Sequence, residues 1–261
     1  MNQFLLSVKI FLLGFKYNYL FVKSNYLVKK ETIDSVKKFK KKHKIVICGN
    51  GPSYKIFEKE KLNGKYENYD TVMLNYGALE TKIDINYHIF EMPEKQDAVA
   101  DYIQKIEKLS SKVCRIFRPN NMNDILKLKN SSLKNIHILK EKRIRQNNKS
   151  ILYKDLRQFG SNNILFCRSS IVYATLFALK LGYTELLYVG INPDINSSWC
   201  SNMDGHQEYH KNRVTQKGDI HPTFKKVNGL NSYDILKLIS NFDLFKKIKF
   251  KINSNSYDFI S

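Results

Sequence analysis

Apolar and polar positions alternate along this chain in two rhythms. Short strand-like runs at 45–48, 71–75, 86–90, 112–117 and 136–139, and later at 185–189 and 248–252, are too compact for helices. Apolar runs of that length predict strands buried on both faces, the habit of a parallel sheet covered by helices. Between them lie segments of helical spacing. The clearest is opened by Ser169-Ser170, carries Tyr173, Leu176, Phe177 and Leu181, and stops at Gly182. Another spans about 232–242. The alternation predicts an α/β fold with a mainly parallel sheet and helices on its faces. The polar stretches 120–123 and 146–150 read as loops, and no internal repeat is visible.

The N-terminal stretch has a different pattern. On a helix, Phe4, Leu5, Val8, Phe11, Leu12, Phe15, Tyr19 and Val22 share one face, while Asn2, Lys9, Lys16 and Lys23 line another. Lys9 and Lys16 leave no uninterrupted apolar segment long enough to cross a bilayer. No small-residue cleavage site follows, so a cleavable signal peptide is not expected. A lysine-rich run from Lys37 to Lys44 adds attraction to anionic lipid. Peripheral membrane contact and a core or dimerisation helix stand level as readings. The organisation expected is a basic amphipathic arm over 1–42 and one domain over 43–261.

Two of the strand-like runs end in glycine turns. Gly49-Asn50-Gly51-Pro52-Ser53 follows the first, with Pro52 and Ser53 suited to the first turn and cap of a helix. Glycines there let the backbone approach a ligand, and helix N–H groups favour a phosphate. Gly190-Ile191-Asn192-Pro193 follows another. Ligands of open α/β sheets lie just beyond the carboxyl ends of the strands. Gly49–Ser53, Asn75, Glu91 and the Gly190 loop are therefore expected to converge on one crevice.

Composition narrows the partners. Among 261 residues, 44 Lys and Arg face 24 Asp and Glu, for a formal charge of +20. Something anionic is implied, whether lipid, nucleic acid or a phosphorylated substrate. The lysines are spread through the chain without an Arg-rich cluster or an RNP-like aromatic signature, so no nucleic-acid partner is expected. Cys48, Cys114, Cys167 and Cys200 lack CxxC spacing and suit buried thiols of a reducing compartment. His206 and His210 lie four apart, yet the first is not followed by the glutamate of a zinc protease. A lid over 194–226 is preferred to a metal site there.

Residues 45–53, the strand ending at Asn75, the unit from Ser169 to Tyr183 and the run 187–192 together resemble bacterial sialyltransferases of the Campylobacter lipooligosaccharide type, glycosyltransferase family 42. The resemblance touches about half of residues 44–261. It implies a Rossmann-like domain of a GT-A-type variant, no metal and no cofactor, and inverting transfer of sialic acid from CMP-sialic acid to a glycan hydroxyl. Carried over by residue, Asn50, Gly51 and Ser53 match the loop near the donor phosphate and ribose, and Asn75 the asparagine that reaches the donor. Ser169 and Ser170 match the pair before the helix, and Gly190, Ile191 and Asn192 the cytidine loop. His221, in a polar turn-rich context, matches the general base; a phosphate role stays open for it.

Three departures accompany the match. Glu91 stands where the family has asparagine and sets an anion near an anionic donor, unfavourably unless it is protonated, paired with a cation or turned toward the acceptor. The two tyrosines that serve the leaving phosphate are not at the expected spacing, and Tyr209 is the nearest substitute. The arginine before the helix is shifted to Arg168.

The first reading is a glycosyltransferase acting at the inner face of the cytoplasmic membrane. Its donor is CMP-linked sialic acid or a related acidic sugar, and its acceptor a lipooligosaccharide or capsule glycan. A homo-oligomer is compatible with it. The alternatives are another nucleotide-sugar donor on the same scaffold, favoured by Glu91, or a non-catalytic nucleotide- or nucleic-acid-binding protein.

Overall fold

The computed structural model describes residues 30–51, 53–93, 97–120, 122–129, 131, 133–145, 148–167, 169–191 and 229–252. Seven strands form one sheet. They are β1 (Lys44–Cys48), β2 (Tyr69–Leu74), β3 (Tyr87–Phe90), β4 (Cys114–Phe117), β5 (Ile136–His137), β8 (Glu185–Val189) and β9 (Lys249–Ile252). Their order is β5-β4-β3-β2-β1-β8-β9. Every pairing is parallel. The chain walks outward from β1 to β5, then returns to lay β8 on the other side of β1. That reversal is the topological switch of a Rossmann-like sheet.

Alternate residues of each strand feed opposite faces, which is why the runs are apolar throughout. Ile45 and Ile47 join Val72, Ile89, Ile116 and Tyr188 in the main core, together with Val172, Tyr173, Leu176 and Phe177 of helix α5 (Ser170–Lys180). Val46 and Cys48 point the other way, toward Tyr54 and Phe57 of α1 (Ser53–Leu62). Farther along that face, Phe90 and Phe117 pack on Val99, Tyr102 and Ile106 of α2 (Ala98–Glu107) and Leu128 of α3 (Met122–Lys129). Each such buried side chain contributes about 1.5–3 kcal/mol relative to exposure.

Helix α5 ends as its Gly182 suggests. Gly182 has φ +73°. Its N–H donates to Leu179 O, and Tyr183 N–H donates to Ala178 O, the paired bonds of a Schellman motif. Lys40 Nζ donates to the free carbonyls of Leu181 and Gly182 at 3.0 and 2.8 Å. Lys40 belongs to the stretch read as the arm. Residues 30–42 are in fact packed on the domain: Ile33 and Val36 lie in the main core, and Asp70 accepts from the Lys41 and Lys42 amides. The boundary drawn at 42 therefore cuts through a packed unit. Residues 1–29 lie outside the described residues.

Two regions read as loops contain structure. Asn148 caps α4 (Lys149–Leu156), its side chain accepting from Ile151 N at 3.0 Å. Helix α3 begins at Met122. A second, small sheet pairs β6 (Glu141–Arg143) with β7 (Ile164–Phe166), α4 lying between them in sequence. Cys48, Cys114 and Cys167 are buried free thiols, and burial pushes the first two well above the ordinary thiol range. No helix among the described residues is long and apolar enough to cross a membrane. Helix α6 (Ser232–Ser240), capped by Asn231, packs on α5 before the chain enters β9.

Candidate functional site

The loops after β1 and β8 leave the sheet side by side, because Cys48 pairs with Val189 in register. Backbone bonds stitch them together. Gly49 N–H donates to Val189 O at 2.8 Å and Gly51 N–H to Gly190 O at 2.7 Å. Gly190 N–H donates to Ser53 Oγ at 2.8 Å. A Cβ on Gly49 would stand 2.5 Å from Gly190 O, and one on Gly190 would stand 2.5 Å from Gly49 O. Gly190 also has φ +67°, where an L side chain is strained.

This revises one expectation. Gly49 and Gly51 were read as making room for a ligand, whereas the close approach that Gly49 permits is between the two loops, and the Gly51 amide is bonded across them. Ser53 is likewise spent: it is 1% exposed, and its hydroxyl holds the Gly190 loop. Ile191 is 4% exposed, its side chain in the main core and its Cδ1 3.1 Å from where a Gly49 Cβ would stand. Gly190 and Ser53 thus position the corner.

Asn50 extends from the stitched corner toward the end of β2. Its Oδ1 is buried against Gly77 and has no hydrogen-bond partner among the described residues. Gly77 lies in the 3₁₀ turn Asn75–Leu79, which begins directly after β2. Asn75 holds a left-handed φ of +49°. Two contacts fix it there: His88 Nε2 donates to Asn75 O at 2.8 Å, and Asn75 Oδ1 accepts from Glu91 N–H at 3.3 Å. His88 is fully buried and stacked on Phe90. Burial, aided by Arg115, pushes its pKa down to about 4, so it is a neutral donor with one fixed tautomer.

Glu91 is the centre of the next cluster. Its Oε1 accepts from Arg118 Nη1 at 2.8 Å and from Ser170 Oγ at 2.9 Å, and its Oε2 from Asn120 Nδ2 at 2.7 Å. Of the three circumstances under which an anion was expected to be tolerated here, the structure supplies the paired cation. Arg118 is 3% exposed. Its other nitrogen donates to Cys167 O, and its guanidinium lies 5.2 Å from the Tyr173 ring centroid and 5.9 Å from that of Phe166. Ser169, 3% exposed, is the N-cap of α5; its carbonyl starts the helix, and its hydroxyl makes no cap bond.

The structure thus joins Asn50, Gly51, Ser53, Asn75, Glu91, Ser170 and Gly190 into one continuous rim across the carboxyl ends of β8, β1, β2 and β3. Ser169 and Ile191 lie behind it. Asn192, Tyr209, His221, Arg168 and the lid expected over 194–226 fall outside the described residues. Among the described residues no group of three or more His, Cys, Asp or Glu stands together to hold a metal.

Arg118 and His88 were missed by sequence reasoning. For Arg118 a signal existed: Phe90 pairs with Phe117, so the next residue on each parallel strand, Glu91 and Arg118, must be neighbours.

A second carboxylate faces the same arginine. Glu141 Oε1 and the Tyr173 hydroxyl are both buried without a hydrogen-bond partner among the described residues. Burial pushes the Glu141 pKa up to about 7, against the opposing pull of Arg118 and Lys30. The native state therefore holds this proton more tightly than the unfolded chain does. The stability it contributes is full below the ordinary value of 4.5 and is lost as pH rises through about 7. Glu141→Gln, which mimics the protonated form, is expected to remove that loss. Urea unfolding should show the variant gaining on the native protein by on the order of 3 kcal/mol between about pH 5 and pH 8. Parallel pH profiles for the two would contradict a raised Glu141 pKa.

No family model and no curated protein matches the chain. Among solved structures it is similar to a variant of the sialyltransferase Cst-II in complex with CMP, at 17% identity over 82% of each chain, with a TM-score of 0.46. It is also similar to the monofunctional α-2,3-sialyltransferase Cst-I from Campylobacter jejuni, at 17% identity over 83% of each chain, TM-score 0.44. A third is Cst-II from Campylobacter jejuni in complex with the substrate analogue cytidine-5'-monophosphate. It shows 16% identity over 82% of this chain and 88% of that one, TM-score 0.41.

Proposed function

We propose that the chain is an inverting, metal-independent glycosyltransferase. It moves sialic acid, or a related acidic sugar, from a CMP donor to a hydroxyl of a surface glycan. One observation carries this reading. Segments that resemble the sialyltransferase motifs and lie far apart in sequence, at 50, 51 and 53, 75, 170 and 190, meet on one rim at the switch point of the sheet. That is where open α/β sheets take nucleotides.

On this reading the β1 and β8 loops seat the cytidine and phosphate, with Asn192 completing the β8 loop. Asn75 reaches the donor, and Ser170 supports the rim through the Glu91 carboxylate it holds. The acceptor oxygen attacks the anomeric carbon as the bond to CMP breaks, and the acceptor proton passes to a base, the role assigned to neutral His221. Tyr209 assists the departing phosphate as charge develops on it. Residues 1–29 and the lysines at 37–44 hold the enzyme at the inner face of the cytoplasmic membrane, near a lipooligosaccharide or capsule acceptor.

A second reading, a neutral sugar on another nucleotide, is favoured by the Glu91 carboxylate at the rim. Thermal unfolding distinguishes them. CMP is expected to stabilise the protein by about 2.7 kcal/mol at a hundredfold excess over its Kd, while UDP and GDP leave it unmoved. Preference for UDP would overturn the CMP donor, and stabilisation by oligonucleotides alone would overturn both readings.

A further inference from the structure

We propose that Glu91 Oε2 is a binding subsite for a sugar hydroxyl, an inference that rests on the nucleotide-sugar reading above. The carboxylate is immobilised at every point but one. Its backbone amide is held by Asn75, Oε1 accepts from Arg118 and Ser170, and Oε2 accepts from Asn120. Each carboxylate oxygen offers about two lone-pair sites. Oε1 is therefore filled, and among the described residues Oε2 keeps one site open.

The order in depth of the ion pair decides what can use that site. The Arg118 side chain is 3% exposed and that of Glu91 23%. The cation lies behind and the carboxylate in front, so a ligand arriving at the rim meets an acceptor oxygen and never the guanidinium. Arg118 offsets the charge of Glu91 but is committed to Glu91, Ser170 and the Cys167 carbonyl. A phosphate or a sugar carboxylate brings only acceptors at neutral pH and finds no partner here. A hydroxyl brings a proton and finds a fixed carboxylate acceptor.

Position along the sheet agrees. Glu91 follows β3, two strands from β1, about 10 Å at the usual strand spacing. With the nucleotide at the β1–β8 switch, what lies over Glu91 is the sugar beyond the phosphate or the glycan that receives it. Both carry the same hydroxyl chemistry.

The test is calorimetric titration of the full chain and its Glu91→Gln variant with CMP, CMP-N-acetylneuraminic acid, and methyl β-galactoside in the presence of CMP. Glutamine keeps the shape and gives up the charge. CMP should bind both proteins within about twofold. Loss of a charge-assisted hydrogen bond should weaken one sugar ligand about 10- to 100-fold. Weakening confined to the CMP-sugar assigns the hydroxyl to the transferred unit, and weakening confined to the galactoside assigns it to the acceptor. If both sugar ligands bind Glu91→Gln as well as the native protein, or more tightly, the subsite is overturned while CMP binding still supports the nucleotide reading. If CMP fails to bind the native protein, the nucleotide reading falls and the subsite with it. Should Glu91→Gln fail to fold, Asn120→Ala decides. It frees Oε2 from its tether at an exposed position and should weaken the same sugar ligand several-fold, with unchanged binding again overturning the proposal.

Discussion

Arg118→Met is expected to destabilise the protein by about 3 kcal/mol, the low end of the loss on removing one member of a buried ion pair, because Glu91 keeps 23% of its side chain exposed. Methionine fills much of the space between Phe166 and Tyr173 but carries no donor. Three groups each lose one partner at once: Glu91 Oε1, which keeps Ser170, the Ser170 hydroxyl, and the Cys167 carbonyl that precedes α5. Glu141 also loses the main cation that restrains its upward shift, so its titration should move further up. Urea unfolding at about pH 7 with an unchanged slope is the measurement. Much of the loss is the penalty of leaving the Glu91 carboxylate without its cation, so adding Glu91→Gln to Arg118→Met should recover part of it. A single variant as stable as the native protein would remove Arg118 from its place as the anchor of this corner.

His221→Ala is expected to lower turnover about 10²- to 10⁴-fold, the usual contribution of a positioned acid–base group, with CMP affinity kept. Transfer to a glycan in a coupled CMP-release assay is the readout. The pH profile separates the two roles open to the residue. A base must be neutral, so kcat/KM should rise with pH as the imidazole loses its proton; an imidazolium serving the phosphate would make it fall. Full turnover in the alanine variant would take His221 out of the reaction.

The sheet was legible because its strands are covered on both faces, which turns 45–48 and 185–189 into unbroken apolar runs. The small sheet was not, since Glu141-Lys142-Arg143 has no apolar face to announce a strand. Helix α4 hid behind the polar Asn148 that caps it, a residue whose helix-starting role looks the same in sequence as a loop. The site was legible wherever a backbone demanded a residue type, as at Gly49 and Gly190. It was illegible where tertiary pairing set the role. Ser53 reads as a phosphate ligand until Gly190 is seen to claim its hydroxyl. Nothing in the strand-like run Tyr87-His88-Ile89-Phe90 marks its histidine as the support of Asn75.

The stitching of the two glycine loops also bears on how the molecule is made. Ser53 and Gly190 are 137 residues apart, and β1 cannot gain its second neighbour until β8 exists. Non-local parallel pairing of this kind is slow to form, because chain closure must precede its reward. The corner the two loops form is thus among the last parts of the sheet to be completed during synthesis. An emerging chain that has reached β5 carries half the corner's residues and none of its geometry.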